Sequence, residues 1–154
     1  MTDPEQPVPS TDPVAAGNAM RGELAERMGV MLTEVSTERV AGTMPVEGNR
    51  QPYGLLHGGA SASLAETLGS FHAALAAGPD GIAVGIELNC SHHRGARTGL
   101  VYGVSTPLQV GRTVASFEIV ISDVDGQRVC TARLTCILRS GRKPAGQEAI
   151  SSPR

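Results

Sequence analysis

The feature that most constrains the fold is one long stretch of the chain with almost no charge. From Gln51 to Pro79 the only formally charged side chain, the histidines aside, belongs to Glu66. Within this stretch, His57 to Ala77 is rich in alanine and leucine and has no proline, which predicts one long helix. A helix that is apolar or small nearly all round belongs inside a fold rather than on its surface. The rest of the chain must therefore cover this helix.

Most of the remaining sequence alternates as β-strands do. Before the helix, Val30–Ser36 and Arg39–Val46 predict a hairpin. After the turn at Gly78–Gly81, four strands are expected, over Val84–His93, Leu100–Val110, Arg112–Ser122 and Cys130–Leu138. Short connections of this kind predict an α+β fold with a mainly antiparallel sheet.

Two of these strands carry more detailed expectations. In the first, Val84 and Ile86 are expected to share one face with Leu88 and Cys90, because alternate residues of a strand point the same way. In the second, Pro107 cannot donate a ladder hydrogen bond, so it predicts an edge position or a bulge.

Both ends of the chain read as tails. Residues 1–16 carry four prolines among polar residues, and residues 140–154 are polar as well. Segments of this composition cannot bury enough apolar surface to offset their ordering entropy. We therefore expect a disordered tail over 1–17, one domain over 18–139 and a flexible tail over 140–154, with a short surface helix within Met20–Met28.

Composition excludes several classes of function. The 13 basic and 15 acidic residues give a net charge of −2, and aromatics make up only 3%, which argues against a nucleic-acid partner. No stretch approaches the ~20 apolar residues of a membrane span, and the first residues do not form a signal peptide. Cys90, Cys130 and Cys136 form no C-x-x-C pair, which predicts buried thiols in a cytoplasmic protein.

Glu66 is the first candidate for chemistry. A carboxylate on a buried helix is expensive unless it is paired or functional. Ser63 and Ser70 lie three residues before it and four after it, on the same helix face. A carboxylate kept dry is a strong base or nucleophile. The alternative is a glutamate on the solvent-facing strip of a half-buried helix.

The start of the helix is the second candidate. Gly58 and Gly59 occupy its first turn, where glycine is costly for helix propensity. First-turn N–H groups lack helical acceptors and carry the positive end of the dipole, which suits an oxyanion or a phosphate. The alternative is a tight strand-to-helix junction that needs small residues.

These segments together resemble a known family. The run Gln51–Gly59, reading QPYGLLHGG, with Leu64-Ala65-Glu66 and Ser70 after it, resembles the hotdog-fold acyl-CoA thioesterases. The similarity is to their glutamate-using branch, which includes the Arthrobacter-type 4-hydroxybenzoyl-CoA thioesterase. Within that branch, the local sequence of these motifs most resembles the enterobactin proofreading and 1,4-dihydroxy-2-naphthoyl-CoA thioesterases. Glu87-Leu88-Asn89 and His92-His93-Arg94 match a second family stretch. The resemblance implies an antiparallel sheet wrapped around one long central helix.

The resemblance also implies roles. Glu66 would be the catalytic carboxylate, as nucleophile or general base, and Ser70 would hold it or the attacking water. The Gly58 N–H and the Gln51 side chain would polarise the thioester carbonyl, while His57 would orient their loop. The expected activity is hydrolysis of an acyl-CoA, most simply an aroyl-CoA, to free acid and coenzyme A.

Five further residues form the expected substrate-binding set: Phe71, His92, His93, Arg94 and Arg97. By resemblance, His92 lies close to the acyl group, and the two arginines are candidates for the coenzyme A phosphates. Phe71 can line an aryl pocket or simply pack in the core, and the arginines and His93 can equally be solvated surface groups.

No cofactor is expected, because coenzyme A is part of the substrate. No metal is expected either, since His92 and His93 are adjacent on a strand and point to opposite faces. Gly95 stands where relatives usually have proline, which puts the phosphate site in question.

Other functions remain open at this point. A hotdog dehydratase, or an acyl-CoA-binding or structural module without hydrolytic activity, fits much of the same pattern. A serine hydrolase does not, because the chain contains no G-x-S-x-G nucleophile elbow.

The spacing of two candidates predicts an assembly. Gly58 and Glu66 are eight residues apart, which is about 12 Å of helical rise. An oxyanion donor and a nucleophile must both lie within about 3–3.5 Å of one carbonyl group. If both act, they belong to different chains, so a homodimer is the smallest active unit, with a homotetramer as the expected assembly.

Overall fold

The computed structural model describes residues 12–139, which form three helices and one six-stranded sheet. The helices are α1 (Pro13–Ala19), α2 (Gly22–Arg27) and α3 (Gly58–Ala77). The strands are β1 (Met31–Val35), β2 (Val40–Pro45), β3 (Ile82–His92), β4 (Leu100–Val110), β5 (Val114–Ser122) and β6 (Arg128–Arg139). The sheet is antiparallel, in the order β1-β2-β4-β5-β6-β3. The predicted α+β architecture, with one long helix against an antiparallel sheet, is confirmed.

The core lies between α3 and the inner face of the sheet. Leu64 and Leu68 of α3 are fully buried, as are Phe117 and Ile119 of β5 and Leu134 of β6. Burying a side chain of this size contributes roughly 1.5–3 kcal/mol. The strict alternation along β5 turns every second residue toward the helix, as its sequence pattern predicts.

Glycines let α3 approach the sheet closely. A Cβ at Gly42 of β2 would lie 2.9 Å from Leu68 Cδ2, and a Cβ at Gly103 of β4 would collide with Leu68 Cδ1. Both strands therefore present bare backbone where the helix crosses them, and Leu68 fills the space.

A buried histidine ties α3 to the hairpin of β1 and β2. The His72 ring is 1% exposed; its Nε2 lies 3.0 Å from the Thr37 carbonyl oxygen and its Nδ1 lies 3.0 Å from Ser105 Oγ. Because a carbonyl only accepts, Nε2 donates, and in the neutral ring Nδ1 accepts from the serine hydroxyl. The ring also packs on Phe117, with centroids 4.6 Å apart. Every polar atom of this buried ring is thus satisfied.

Strand β3 departs from the predicted alternation. Its register against β6 shifts between Gly85 and Glu87, so Ile86 is an extra, bulged residue. Leu88 packs against the core as expected, whereas Val84 and Ile86 are each 54% exposed. The prediction of one shared apolar face was wrong for these two residues, because the bulge changes the phase of the strand. For Pro107 of β4 the expectation is an edge position or a bulge, and a register shift between Pro107 and Gln109 confirms the bulge.

The described structure begins before the expected boundary at residue 18. Helix α1 starts at Pro13, where the Asp12 side chain caps it by accepting from the Val14 N–H. The Asn18 side chain then exchanges two hydrogen bonds with the Leu32 backbone, at 2.9 and 2.8 Å. A proline-rich composition thus conceals a capped turn of helix over 13–17. The rest of both predicted tails, 1–11 and 140–154, lies outside the described residues, and α2 confirms the short helix within Met20–Met28.

Candidate active site

The loop before α3 prepares the side chain of Gln51. Its backbone N–H donates to the Leu55 carbonyl at 2.8 Å, and its own carbonyl accepts from the Gly54 N–H at 2.9 Å. The side-chain oxygen accepts from the Tyr53 N–H. The oxygen is therefore occupied, and the amide nitrogen, which is the donor, remains for the neighbouring cavity.

His57 caps α3 and leaves one N–H of the first turn without a partner. Its Nδ1 accepts from the Gly59 N–H at 2.8 Å, and its carbonyl accepts from Ala60 at 2.9 Å and Ser61 at 3.2 Å. Among residues 12–139, the Gly58 N–H has no acceptor. This is the donor expected from the resemblance, at the positive end of the helix.

Both glycines of the first turn are explained by close histidine rings. A Cβ at Gly58 would lie 3.1 Å from His92 Nε2, and a Cβ at Gly59 would lie 3.0 Å from His57 Nδ1. The junction is therefore tight, as one reading of the sequence holds. The same close packing brings His92 beside Gly58 at the first cavity, so a tight junction and a ligand site are compatible here.

A cavity of about 380 Å³ opens at this junction. It brings together five of the predicted site residues: Gln51, Gly58, His92, His93 and Arg94. Its apolar walls are Leu55, Leu56 and Val129. Ser61 also lines it and is only 2% exposed, yet the sequence reasoning missed it. The signal was available, since Ser61 lies three residues after Gly58 and thus on the same helix face.

Glu66 lies two turns further along α3, outside that cavity. It is half-buried, and its Oε1 accepts from Ser70 Oγ at 3.2 Å, as predicted. Ser63 does not join this pair, because its hydroxyl donates to the Gly59 carbonyl at 3.0 Å. Burial, together with the nearby Glu66 carboxylate, raises the pKa of the Cys136 thiol to about 11. Glu66 lies beneath the β3–β6 edge of the sheet, because a Cβ at Gly85 of β3 would be 2.5 Å from its Oε1.

The two arginines line a second, more polar cavity of about 250 Å³. Arg94 lines both cavities, whereas Arg97 lines only the second. Asp123 and Asp125 face the same space, so its charge is mixed rather than uniformly positive. The cavities meet at Arg94, which suits one elongated ligand that carries an anionic end.

Gly95 is held by packing against the loop. A Cβ at this position would lie 2.8 Å from Leu55 Cδ1 and 3.0 Å from its Cδ2. Relatives usually have proline at this position. Here the Leu55 side chain occupies the space that a proline ring would need.

Comparison with known protein families identifies the family to which the chain belongs. A family model described as "Thioesterase superfamily" matches residues 53–130, a stretch that includes Glu66, Ser70 and the residues that line the first cavity apart from Gln51. The chain belongs to the thioesterase superfamily. It is similar to the proofreading thioesterase EntH of Cronobacter sakazakii, with 46% identity over 115 residues, 74% of this chain and 84% of the relative.

Solved structures agree on the fold of this thioesterase. A Haemophilus influenzae thioesterase superimposes with a TM-score of 0.82 at 28% identity, over 90% of this chain and 98% of that one. A mutant thioesterase from Pseudomonas aeruginosa gives 0.77 at 36% identity, over 84% and 95%. The expected hotdog fold and thioester hydrolase activity are confirmed.

Of the expected substrate contacts of the thioesterase, His93 lines the first cavity and Phe71 does not. The Nε2 of His93 lies 2.9 Å from Thr131 Oγ1. Phe71 lies near the other end of α3, in an apolar cavity of about 390 Å³ shared with Met20 and Leu75. Within one chain Phe71 thus does not join Gln51. Among residues 12–139 no helix is long and apolar enough to cross a membrane.

Proposed function

We propose that this thioesterase hydrolyses an aroyl-CoA to the free acid and coenzyme A. The observation that carries the proposal is the Gly58 N–H, which has no acceptor within residues 12–139 and belongs to a residue that lines the same cavity as Gln51. Two donors fixed before the reaction can hold a thioester oxygen as it gains negative charge. Among residues 12–139, neither donor has another acceptor that it would have to leave.

In this proposal Glu66 supplies the chemistry, as base or as nucleophile. Its carboxylate is held by Ser70 and half-shielded from water. As a base it takes a proton from water while the oxygen adds to the carbonyl carbon; the C–S bond then breaks and the coenzyme A thiolate leaves and takes up a proton. As a nucleophile it attacks the carbonyl carbon and the C–S bond breaks, so the coenzyme A thiolate leaves, takes up a proton, and an acyl anhydride with Glu66 remains. Water then hydrolyses the anhydride, which releases the free acid and restores the Glu66 carboxylate.

The proposed site is built from two chains. Gly58 lines the first cavity described above and Glu66 does not, and their spacing along α3 is about 12 Å. Strand β3 ends the sheet, and its exposed apolar residues Ile82, Val84 and Ile86 favour pairing with a second copy. The opposite edge strand, β1, is short and carries an exposed Glu34–Arg39 ion pair.

We infer a homodimer through β3 as the minimal active unit, and a homotetramer as the full assembly. Light scattering coupled to size exclusion gives the mass directly. A monomer that retains full activity when diluted would contradict the shared site.

All three cysteines are unpaired, which fits the proposed cytoplasmic location.

The nucleotide end of coenzyme A is assigned to Arg94 and Arg97. An Arg guanidinium suits phosphate oxygens, because its donors form a fixed fork. The test of the whole proposal is a panel of acyl-CoA esters with free-thiol detection, in which benzoyl-CoA is compared with straight-chain esters of similar size. We expect faster thiol release from the aroyl esters. A preference for straight chains would contradict the substrate class, and no release from any ester would contradict the reaction.

A further inference from the structure

Strand β3 crosses directly over the carboxylate of Glu66. An ideal Cβ built at Gly85 would lie 2.5 Å from Glu66 Oε1 and 3.4 Å from its Cδ. Real Cβ atoms do not approach a neighbour below about 3.0 Å. The observed position of this carboxylate therefore requires a residue without a side chain at position 85.

The backbone does not explain the glycine. Gly85 is not one of the glycines with positive φ among residues 12–139, so its conformation is open to other residues. The bulge at Ile86, between the Gly85–Cys136 and Glu87–Thr135 pairs, leaves Gly85 facing the helix. What the glycine provides is space.

The carboxylate has few other restraints. Ser70 Oγ donates to Oε1 at 3.2 Å, a long contact for an O–H donor. No ion pair in the described part of the chain includes Glu66. The Cys136 thiol beside it stays neutral, because burial raises its pKa to about 11. The space left by the missing side chain at Gly85 is therefore part of what allows the carboxylate to lie where it does.

We propose that Gly85 is a positioning residue for Glu66. The bare backbone at Gly85 lets the carboxylate lie against the sheet edge, and any side chain there displaces it from the reacting position. This inference rests on the proposed catalytic role of Glu66. A displacement of about 1 Å at a reacting group can cost about 10²-fold in rate.

A double-mutant cycle tests the contact. We expect Gly85→Ala to lower kcat at least about tenfold with little change in KM, since substrate contacts stay in place. Glu66→Asp withdraws the carboxylate by one methylene, so Gly85→Ala should cost less than about threefold in that background. Additive losses in the cycle, or an unchanged kcat for Gly85→Ala, would overturn the proposal.

Gly103→Ala is the matched control. It adds the same methyl group to the same face of the sheet, but against Leu68. We expect it to lower the melting temperature and to show no coupling to Glu66→Asp. If Gly85→Ala does not fold, recovery of its melting transition by Glu66→Asp supports the same contact, and no recovery overturns it. An active Glu66→Gln variant would instead remove the catalytic role itself, which separates failure of the proposed function from failure of this inference.

Discussion

The imidazole of His92 lies against the first residue of α3, so close that a Cβ at Gly58 would be 3.1 Å from its Nε2. The end of an edge strand and the start of the buried helix therefore meet at one cavity. A substitution at Gly58 can therefore act in two ways, by crowding the His92 ring or by removing the Gly58 N–H.

Gly58→Ala keeps the N–H but crowds His92, whereas Gly58→Pro also removes the donor. We expect a modest loss of kcat for alanine and a loss of about 10²–10³-fold for proline. Proline is tolerated at the first position of a helix, so the protein should still fold. In a His92→Ala background the alanine effect should vanish, measured as kcat on benzoyl-CoA. Equal losses for the two Gly58 variants would rule out the N–H as the oxyanion donor.

Glu66→Gln should fold and assemble but lose about 10²–10⁴-fold in kcat, because an amide cannot act as base or nucleophile. Circular dichroism and light scattering check the fold and the assembly. Glu34→Gln, which removes a surface carboxylate paired with Arg39, is the matched control and should keep its activity. Near wild-type turnover in Glu66→Gln would sink the mechanism but not the fold.

Arg94→Ala should raise KM for coenzyme A esters by about three- to tenfold, with a smaller effect on kcat. Arg97→Ala should do the same more weakly, because Arg97 lines only the second cavity. Pantetheine thioesters lack the nucleotide and should respond to neither change. Equal losses on both substrate types would mean that the arginines act on structure.

Two inactive proteins should complement each other if the site spans two chains. Glu66→Gln and a Gln51→Ala, Gly58→Pro double variant place both defects in one site of a mixed dimer and leave the other intact. Random mixing during co-expression should restore about a quarter of wild-type activity per total sites. Mixed dimers, verified by two affinity tags, with no activity above the parents would show that the site is not shared.

The buried thiols predict an alkaline loss of stability. Burial raises the pKa of Cys130 to about 12 and that of Cys136 to about 11, against an ordinary value of 9.0. The fold favours the neutral thiol, so this stabilisation is complete below pH 9 and is lost as pH rises through 11 to 12. The urea midpoint should fall as pH rises from 9.0 to about 12, and it should fall less steeply in Cys130→Ala. At pH 8 these two thiols should react with an aromatic disulfide reagent only after unfolding. Rapid reaction of the native protein would contradict their burial.

Much of the fold follows from pattern alone. The uncharged stretch predicts α3 to within one residue at its start, since His57 is the cap and Gly58 the first helical residue. The hairpin and the later strands also fall where alternation predicts them. The contact between Glu66 and Ser70 follows from their helical spacing.

What escaped prediction depends on long-range packing or on phase. A bulge adds one residue to β3, and period-two reasoning begun at Leu88 is out of step by the time it reaches Val84. The need for glycine at position 85 cannot be predicted from its neighbours in sequence, because the side chain that it accommodates, Glu66, belongs to another element. Helix α1 depends on the cap at Asp12 and on the Asn18 contact, signals that a proline-rich composition outweighs.

The stacking of His72 on Phe117 also provides a spectroscopic handle. The chain has no tryptophan and only two phenylalanines, so the usual fluorescence probe of tertiary structure is lacking. The imidazole protons of His72 experience the ring current of Phe117, because the two ring centroids are 4.6 Å apart. Their proton resonances should be displaced from those of the exposed histidines in the folded protein and return on denaturation. One-dimensional NMR can thus follow the packing of the central helix without any engineered label.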